Sequence, residues 1–437
     1  MALPSSSTDN CQNNRGPEVG FRFLHAADIH LDSPLRGLSA YENAPAEQLR
    51  KASREALKEL VNRAIEDKVS FVVFAGDLYD GDWRDYNTGI FFAAQMGRLA
   101  RASIRAYVLH GNHDAESEMT KKLGLPDNVV VFSSRSPQIH KIDELNVALH
   151  GQSFANRAVD DNLAASYKPK VAGYYNIGVL HTALQGYAAH ANYAPCTVDE
   201  LHARGYDYWA LGHVHEYQQW DGSSTIVFPG NLQGRHVRET GRKGAVSVTV
   251  DDSGHSVVDR LYLDVLRWEV LKVDVSACAE IEDIARKVGQ GLTGLLDADD
   301  VPRAVRVMLE GKTRLHGTLF GNAASIRAQV LAQAAAIDEE QLWIEKVKVA
   351  TKPVDARQST GESREALAEL QGIFAEASSD PDFLEDLQHQ LHPFLNKVSD
   401  ELKEDVPLLQ LARQKRFADI VQEVAPGLLA QLGSKVT

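Results

Sequence analysis

A chain of 437 residues is long enough for two or three domains, each with its own apolar core. Its formal net charge of −14 and pI near 5.6 exclude a generally basic nucleic-acid coat, but a local basic groove or a metal centre can still bind phosphate. Cys11, Cys196 and Cys278 lie far apart and give neither a disulfide framework nor a thiolate metal pattern, which suits a reducing cytoplasm; no apolar run approaches the roughly 18 residues of a membrane span.

Residues 1–20 are rich in Ser, Asn, Pro and Gly, without an apolar signal core, and read as a disordered tail. Phe21 to Ala27 reads as a strand that ends in Asp28-Ile29-His30. Strand alternation would point Asp28 and His30 the same way. His25, inside the strand, reads as a packed, hydrogen-bonded histidine. Apolar residues at helical spacing predict a helix over 46–68. Ser70 to Ala75 is a continuous apolar run, as in a buried parallel strand. It ends in Gly76-Asp77, where Gly76 allows close approach of the backbone to a ligand. A second helix over 87–103 leads to the strand Ala106–Leu109 and to Gly111-Asn112-His113-Asp114. Strand–helix–strand–helix–strand predicts a parallel sheet with crossovers.

Beyond Val129–Phe132 the strands shorten. Val147–Gly151 is one. Asn176–Leu180 ends in His181, and Tyr206–Leu211 ends in Gly212-His213-Val214-His215, whose two histidines would again share a face. Thr225–Phe228 precedes Pro229-Gly230-Asn231, a turn rich in backbone donors, and Gly234-Arg235-His236-Val237-Arg238-Glu239 is a compact basic spot. Stretches 244–250 and 256–263 resemble a closing antiparallel pair. The expected domains are a tail, 1–20; a first α/β domain, 21–265; a β-α-β-α-β cap, 266–352; and a linker with amphipathic C-terminal helices, 353–437. Those helices would dock on a partner or fold back on their own domain.

Asp28, His30, Asp77, Asn112, His181, His213 and His215 thus stand at the ends of five strands. Open α/β sheets bind ligands at that edge. Carboxylates, imidazoles and an amide, without thiolates, favour Mn²⁺, Fe or Zn²⁺. Asp77 would bridge two cations, with Asp28, His30 and His215 completing one site and Asn112, His181 and His213 the other. Such a pair, about 3.5–4 Å apart, lowers the pKa of bound water and clamps a phosphoryl group for in-line attack. No side-chain nucleophile is then required.

Asp-x-His, Gly-Asp, Gly-Asn-His-Asp, a lone strand-end His and Gly-His-x-His, in this order over residues 21–260, resemble the signature of the calcineurin-like metallophosphoesterases. Within that superfamily, the segment from His25 to Leu35 and the segment from Pro229 to Gly244 are most similar to DNA repair exonucleases of the SbcD/YhaO type. The resemblance implies a two-sheet α/β metallophosphoesterase sandwich with a cap and C-terminal helices. It implies a Mn²⁺-dependent DNA nuclease that pairs with an SMC-like ATPase through those helices, and a possible homodimer. It also gives His113 the role of general acid to the leaving oxygen, with Asp114 orienting it. Asn231, Arg235 and His236 are candidates for phosphate contact. Asp80 stands where archaeal and eukaryotic relatives carry a histidine and is not counted in the site. A phosphodiesterase or phosphatase for small nucleotides fits the acidic charge better, since duplex binding relies on cations. A non-catalytic adaptor would require a degraded site, and every ligand position is filled.

Overall fold

The protein is described from a computed structural model that covers residues 19–33, 46–80, 86–116, 124–184, 193–296, 299–354, 362–398 and 407–433. The expected tail up to residue 18, the central part of the expected linker, Cys11 and His190 lie outside the described residues. The chain divides into two units, 1–268 and 269–437.

In the first unit, strands β1 (Val19–Ala26), β2 (Phe71–Ala75), β3 (Arg105–Leu109) and β4 (Val129–Val131) run parallel. Helices α1 (Ala46–Glu66) and α2 (Tyr86–Arg101) connect the first three. The expected closing pair, β11 (Gly244–Asp251) and β12 (Ser256–Tyr262), is antiparallel and joins β1 from the other side, giving the order β12-β11-β1-β2-β3-β4. A second sheet runs β5-β6-β7-β8-β10-β9, from Gln138–Ile142, Val147–Gly151, Tyr175–His181, Tyr208–Gly212, Thr225–Phe228 and Gln218–Trp220. The short edge strands β5 and β9 were not expected; both are polar and only partly buried, so they lack an apolar signature.

Side-chain alternation builds the layers. Phe23, Phe71, Val73 and Tyr107 meet Leu149, Ile177, Val179, Tyr208 and Ala210 between the sheets. Their neighbours Leu24, Val72, Phe74 and Val108 face Leu57, Leu60, Phe92 and Met96 of the two helices. The outer face of the second sheet packs Trp209, Leu211 and Phe228 on Tyr167, Leu201 and Tyr206. Leu201 belongs to a short helix, α3 (Val198–Ala203). The central strands are buried on both faces, which explains their continuous apolar runs. His25 is one of these buried residues: its Nδ1 lies 3.0 Å from the Tyr208 hydroxyl and its Nε2 3.1 Å from the Leu211 carbonyl, and burial pushes its imidazole down to about 3.

The second unit holds a three-stranded sheet in sequence order: β13 (Arg267–Asp274), β14 (Arg303–Thr313) and β15 (Leu342–Pro353), with β14 and β15 parallel. Helices α4 (Ile281–Leu296), α5 (His316–Gly321) and α6 (Ala323–Asp338) cover it. Among the described residues the chain continues in helices α7 (Glu362–Ala377), α8 (Pro381–Leu395), α9 (Pro407–Arg413) and α10 (Phe417–Gly433). Helix α10 packs against α5 and α7, so part of the C-terminal segment folds back on its own unit. No helix among the described residues is long and apolar enough to cross a membrane.

Phe23 stacks on Phe71 with ring centroids 5.0 Å apart and is fully buried. Phe23→Ala is expected to cost about 3–5 kcal/mol of stability in urea denaturation; a loss well under about 1 kcal/mol would contradict this packing.

Candidate metal centre

The site forms where the strands of both sheets stop. Past Ala26 the chain continues beside the segment after β2: the amides of Asp28, His30 and Leu31 donate to the carbonyls of Gly76, Asp77 and Leu78 at 3.0, 3.0 and 2.8 Å. Asp28, His30 and Asp77 have φ of 51°, 43° and 53°. Left-handed backbone at non-glycine residues costs on the order of 1–3 kcal/mol each and collects at functional sites. This corrects the expectation from strand alternation: Asp28 and His30 lie beyond the strand, and left-handed turns aim them. His213, with φ of 104°, likewise does not share a face with His215; the two join different clusters.

In one cluster, ligand atoms of Asp28, His30 and His215 lie within 4.8 Å of one another; in a second, those of Asp77, His181 and His213; and a third group, His30, Asp77 and His113, joins the two. Nε2 of His30 is 3.3 Å from Nε2 of His215, which is 3.8 Å from Asp28 Oδ1. Nε2 of His181 is 2.9 Å from Asn112 Oδ1. A single oxygen, Asp77 Oδ2, lies 3.9 Å from His30 Nε2 and 3.3 Å from His181 Nε2. The carboxylate that faces both clusters is therefore the one expected to bridge. All seven expected ligands come together. Gly111 and Gly76 allow it, because a Cβ on Gly111 would strike the Asp77 carboxylate and one on Gly76 the His181 ring.

The donor set fits divalent cations. His181 Nδ1 donates to the Ala75 carbonyl at 3.0 Å, and His215 Nδ1 to Glu239 Oε1 at 2.8 Å. Each bond leaves the Nε2 lone pair aimed inward, the usual arrangement of a metal-binding histidine. Nε2 of each ring then faces carboxylate or amide oxygens, a place for a proton or, in its stead, a divalent cation. His30 Nδ1 is buried without a hydrogen-bond partner among the described residues. With only the protein's own charges acting, burial pushes His30 down to about 3. Burial also pulls His181 down, but the carboxylates of Asp77 and Asp28 outweigh it and lift His181 to about 9. Asp77 itself stays well below the usual carboxylate range: burial opposes this, but His181 and His30 prevail.

His113 lies at the mouth, half-buried, with its ring 5.1 Å from that of His30. Its orienting carboxylate is Asp80, with Oδ1 3.1 Å from His113 Nδ1 and Oδ2 accepting from Ser33 Oγ at 2.6 Å. This corrects the expectation for Asp114, whose carboxylate accepts from the amides of Leu78, Tyr79 and Gly111 at 3.1, 2.9 and 3.0 Å and so ties two ligand loops together. Asn231 is fully buried and donates to Glu239 Oε2 at 2.9 Å, so it braces the site and does not reach for phosphate. Arg235 bonds Glu239 through Nη2 at 3.0 Å, and His236 Nε2 lies 3.6 Å from the same carboxylate. Sequence reasoning set Asp80 aside from the site and missed Glu239. The spacing Gly-Asp-x-x-Asp hinted at the first. Nothing in the sequence ties Glu239 to His215.

Asp77→Ala is expected to abolish binding at both sites, read as Mn²⁺ per chain after dialysis; full retention of two ions contradicts the bridge. Glu239→Ala is expected to weaken one of two Mn²⁺ affinities about 10–100-fold in a titration and spare the other; two unchanged affinities contradict its role.

Residues 21–217 match the family model described as calcineurin-like phosphoesterase, and residues 268–352 match that of the metallophosphoesterase YhaO, middle domain. The chain is 34% identical to the uncharacterized metallophosphoesterase YhaO of Bacillus subtilis over 66% of its own length and 71% of that protein. It is 25% identical to the DNA double-strand break repair protein Mre11 of Methanopyrus kandleri, over 62% and 63% of the two chains. A similar protein of that description from Sulfurisphaera tokodaii is 22% identical over 59% and 67%. A 34% match over most of a relative, in the same order of site motifs that the geometry brings together, places the chain in the calcineurin-like metallophosphoesterase family, beside YhaO.

Proposed function

We propose that the protein is a Mn²⁺-dependent DNA repair exonuclease that works with an SMC-like ATPase. The observation that supports phosphodiester hydrolysis most directly is Asp77 Oδ2 between the two histidine clusters, with His113 held at the mouth by Asp80. When bound, a pair of divalent cations supplies water that is acidic near neutral pH and neutralises charge on the phosphoryl oxygens. The side chains do the rest. Asp28, His30, Asp77, Asn112, His181, His213 and His215 would hold the two ions. Burial lowers the His113 pKa, but Asp80 and Asp77 outweigh it and raise the imidazole above its ordinary value; with Nδ1 turned to Asp80, Nε2 is the atom that would deliver a proton to the leaving oxygen. Asp80 accepts from Nδ1 and holds the ring's direction.

The DNA substrate is supported by similarity to the two archaeal proteins whose names state double-strand break repair. The partner surface in this proposal is α8, which has no buried residue and exposes Phe383 and Phe394. Manganese suits the oxygen and imidazole ligands, and buried free thiols at Cys196 and Cys278 fit a cytoplasmic location. The formal charge of −14 favours a second function, hydrolysis of small nucleotide diesters, over a long polyanion.

With Mn²⁺, the protein is expected to hydrolyse bis-p-nitrophenyl phosphate. His113→Ala and Asp80→Asn should each reduce kcat, the first by about 10²-fold or more, with two metal ions retained. End-labelled duplex and cyclic nucleotides, compared at equal concentration, separate the two functions. Inertness toward DNA with rapid turnover of a cyclic nucleotide would overturn the nuclease proposal.

A further inference from the structure

A stack of cations and rings stands on the edge of the first sheet, outside the centre. Arg260 Cζ lies 4.3 Å from the ring centroid of Tyr217 and 5.0 Å from that of Tyr262, and Arg242 Cζ lies 4.8 Å from the same Tyr262 ring. Guanidinium and phenol thus alternate: Arg242, Tyr262, Arg260, Tyr217. Tyr262 is 45% exposed, and both arginines are exposed as well.

The register puts this stack near the ligands. On β12, Arg260 pairs with Val246 of β11, which pairs with His25 of β1. Tyr262 pairs with Gly244, two residues further toward the edge where Asp28 and His30 leave the sheet. At its other end, Tyr217 follows His215 by two residues. Lys243, next to Arg242, donates from Nζ to the His215 carbonyl at 2.8 Å. Between Gly234 and Lys243 the chain carries Arg235, Arg238, Arg242 and Lys243 against the single acid Glu239. In a chain of net charge −14 this is a local reversal of sign. Glu216, Asp221 and Asp264 are acids on this side; Asp221 accepts from Gln219 at 2.9 Å, and Asp264 accepts from the Lys243 amide at 3.2 Å and from Arg267 at 2.8 Å.

We propose that the Arg242–Tyr262–Arg260–Tyr217 stack holds backbone phosphates of a DNA strand whose neighbouring diester occupies the metal centre, a proposal that rests on the nuclease function above. A guanidinium resting on a ring is already restricted, so it loses less freedom on binding phosphate. The in-plane N–H groups of a guanidinium match the geometry of phosphate oxygens. A small diester fills the centre without spanning to the stack, so the stack selects for polymers.

The test is the anisotropy of a fluorescein-labelled DNA duplex with the full chain across a NaCl series, for wild type and Arg242→Gln/Arg260→Gln. The slope of log Kd against log salt should fall by about one per arginine, about two in all. The ratio of kcat/KM for the duplex to that for bis-p-nitrophenyl phosphate should fall about tenfold or more. Tyr262→Leu, which keeps both charges, should weaken binding with a smaller change of slope. Duplex binding by wild type with an unchanged slope in the double variant overturns the stack's role and leaves the nuclease function standing. No duplex binding by wild type at low salt, alongside turnover of the small diester, overturns both.

Discussion

Asp77 can face both halves of the centre because its backbone turns left-handed where β2 ends. One carboxylate oxygen, Oδ1, accepts the amide of His113 at 3.0 Å, and this frees Oδ2 to lie between His30 and His181. Asp28 is held in the same manner, since both its oxygens accept the amide of His213 at 3.2 and 2.9 Å. Backbone donors fix the two carboxylates before any ion arrives. Strain in the left-handed turns is offset by the hydrogen bonds that continue past the ends of β1 and β2.

Around this centre a ring of side chains fixes the loops. Asp32 takes two bonds from Arg54, at 2.6 and 2.5 Å, and a third from Thr88, tying the loop after His30 to α1 and α2. Asp114 ties the Asp77 loop to the Asn112 loop. Glu239 gathers His215, Arg235 and Asn231; burial opposes its ionisation, but His215 and Arg235 hold it well below the usual carboxylate range. Each of these acids meets donors from different parts of the chain, so the deletion of one loosens several ligands together. This arrangement of supporting hydrogen bonds is what metal sites require beyond their ligands.

The ligand set was legible in the sequence because each member follows an apolar run, and buried strands deliver their ends to one edge. The aim of Asp28 and His30 was not, since left-handed φ at Asp and His leaves no mark in the residue pattern. The pairing of Asp80 with His113, and of Glu239 with His215, depends on loops 33 and 24 residues apart meeting in space. The division of strands between two sheets was hidden for a related reason: Phe71–Ala75 is buried on both faces and does not indicate which layer it meets. In the C-terminal helices, amphipathic faces are equally compatible with a partner and with the chain's own core; only packing shows α10 turned inward.

Anomalous diffraction from crystals grown with Mn²⁺ tests the shared carboxylate most directly. Two peaks are expected, one beside Asp28, His30 and His215 and one beside Asn112, His181 and His213, about 3.5–4 Å apart with Asp77 Oδ2 between them. A single peak, or two peaks with Asp77 turned away from either, would contradict a bridged pair.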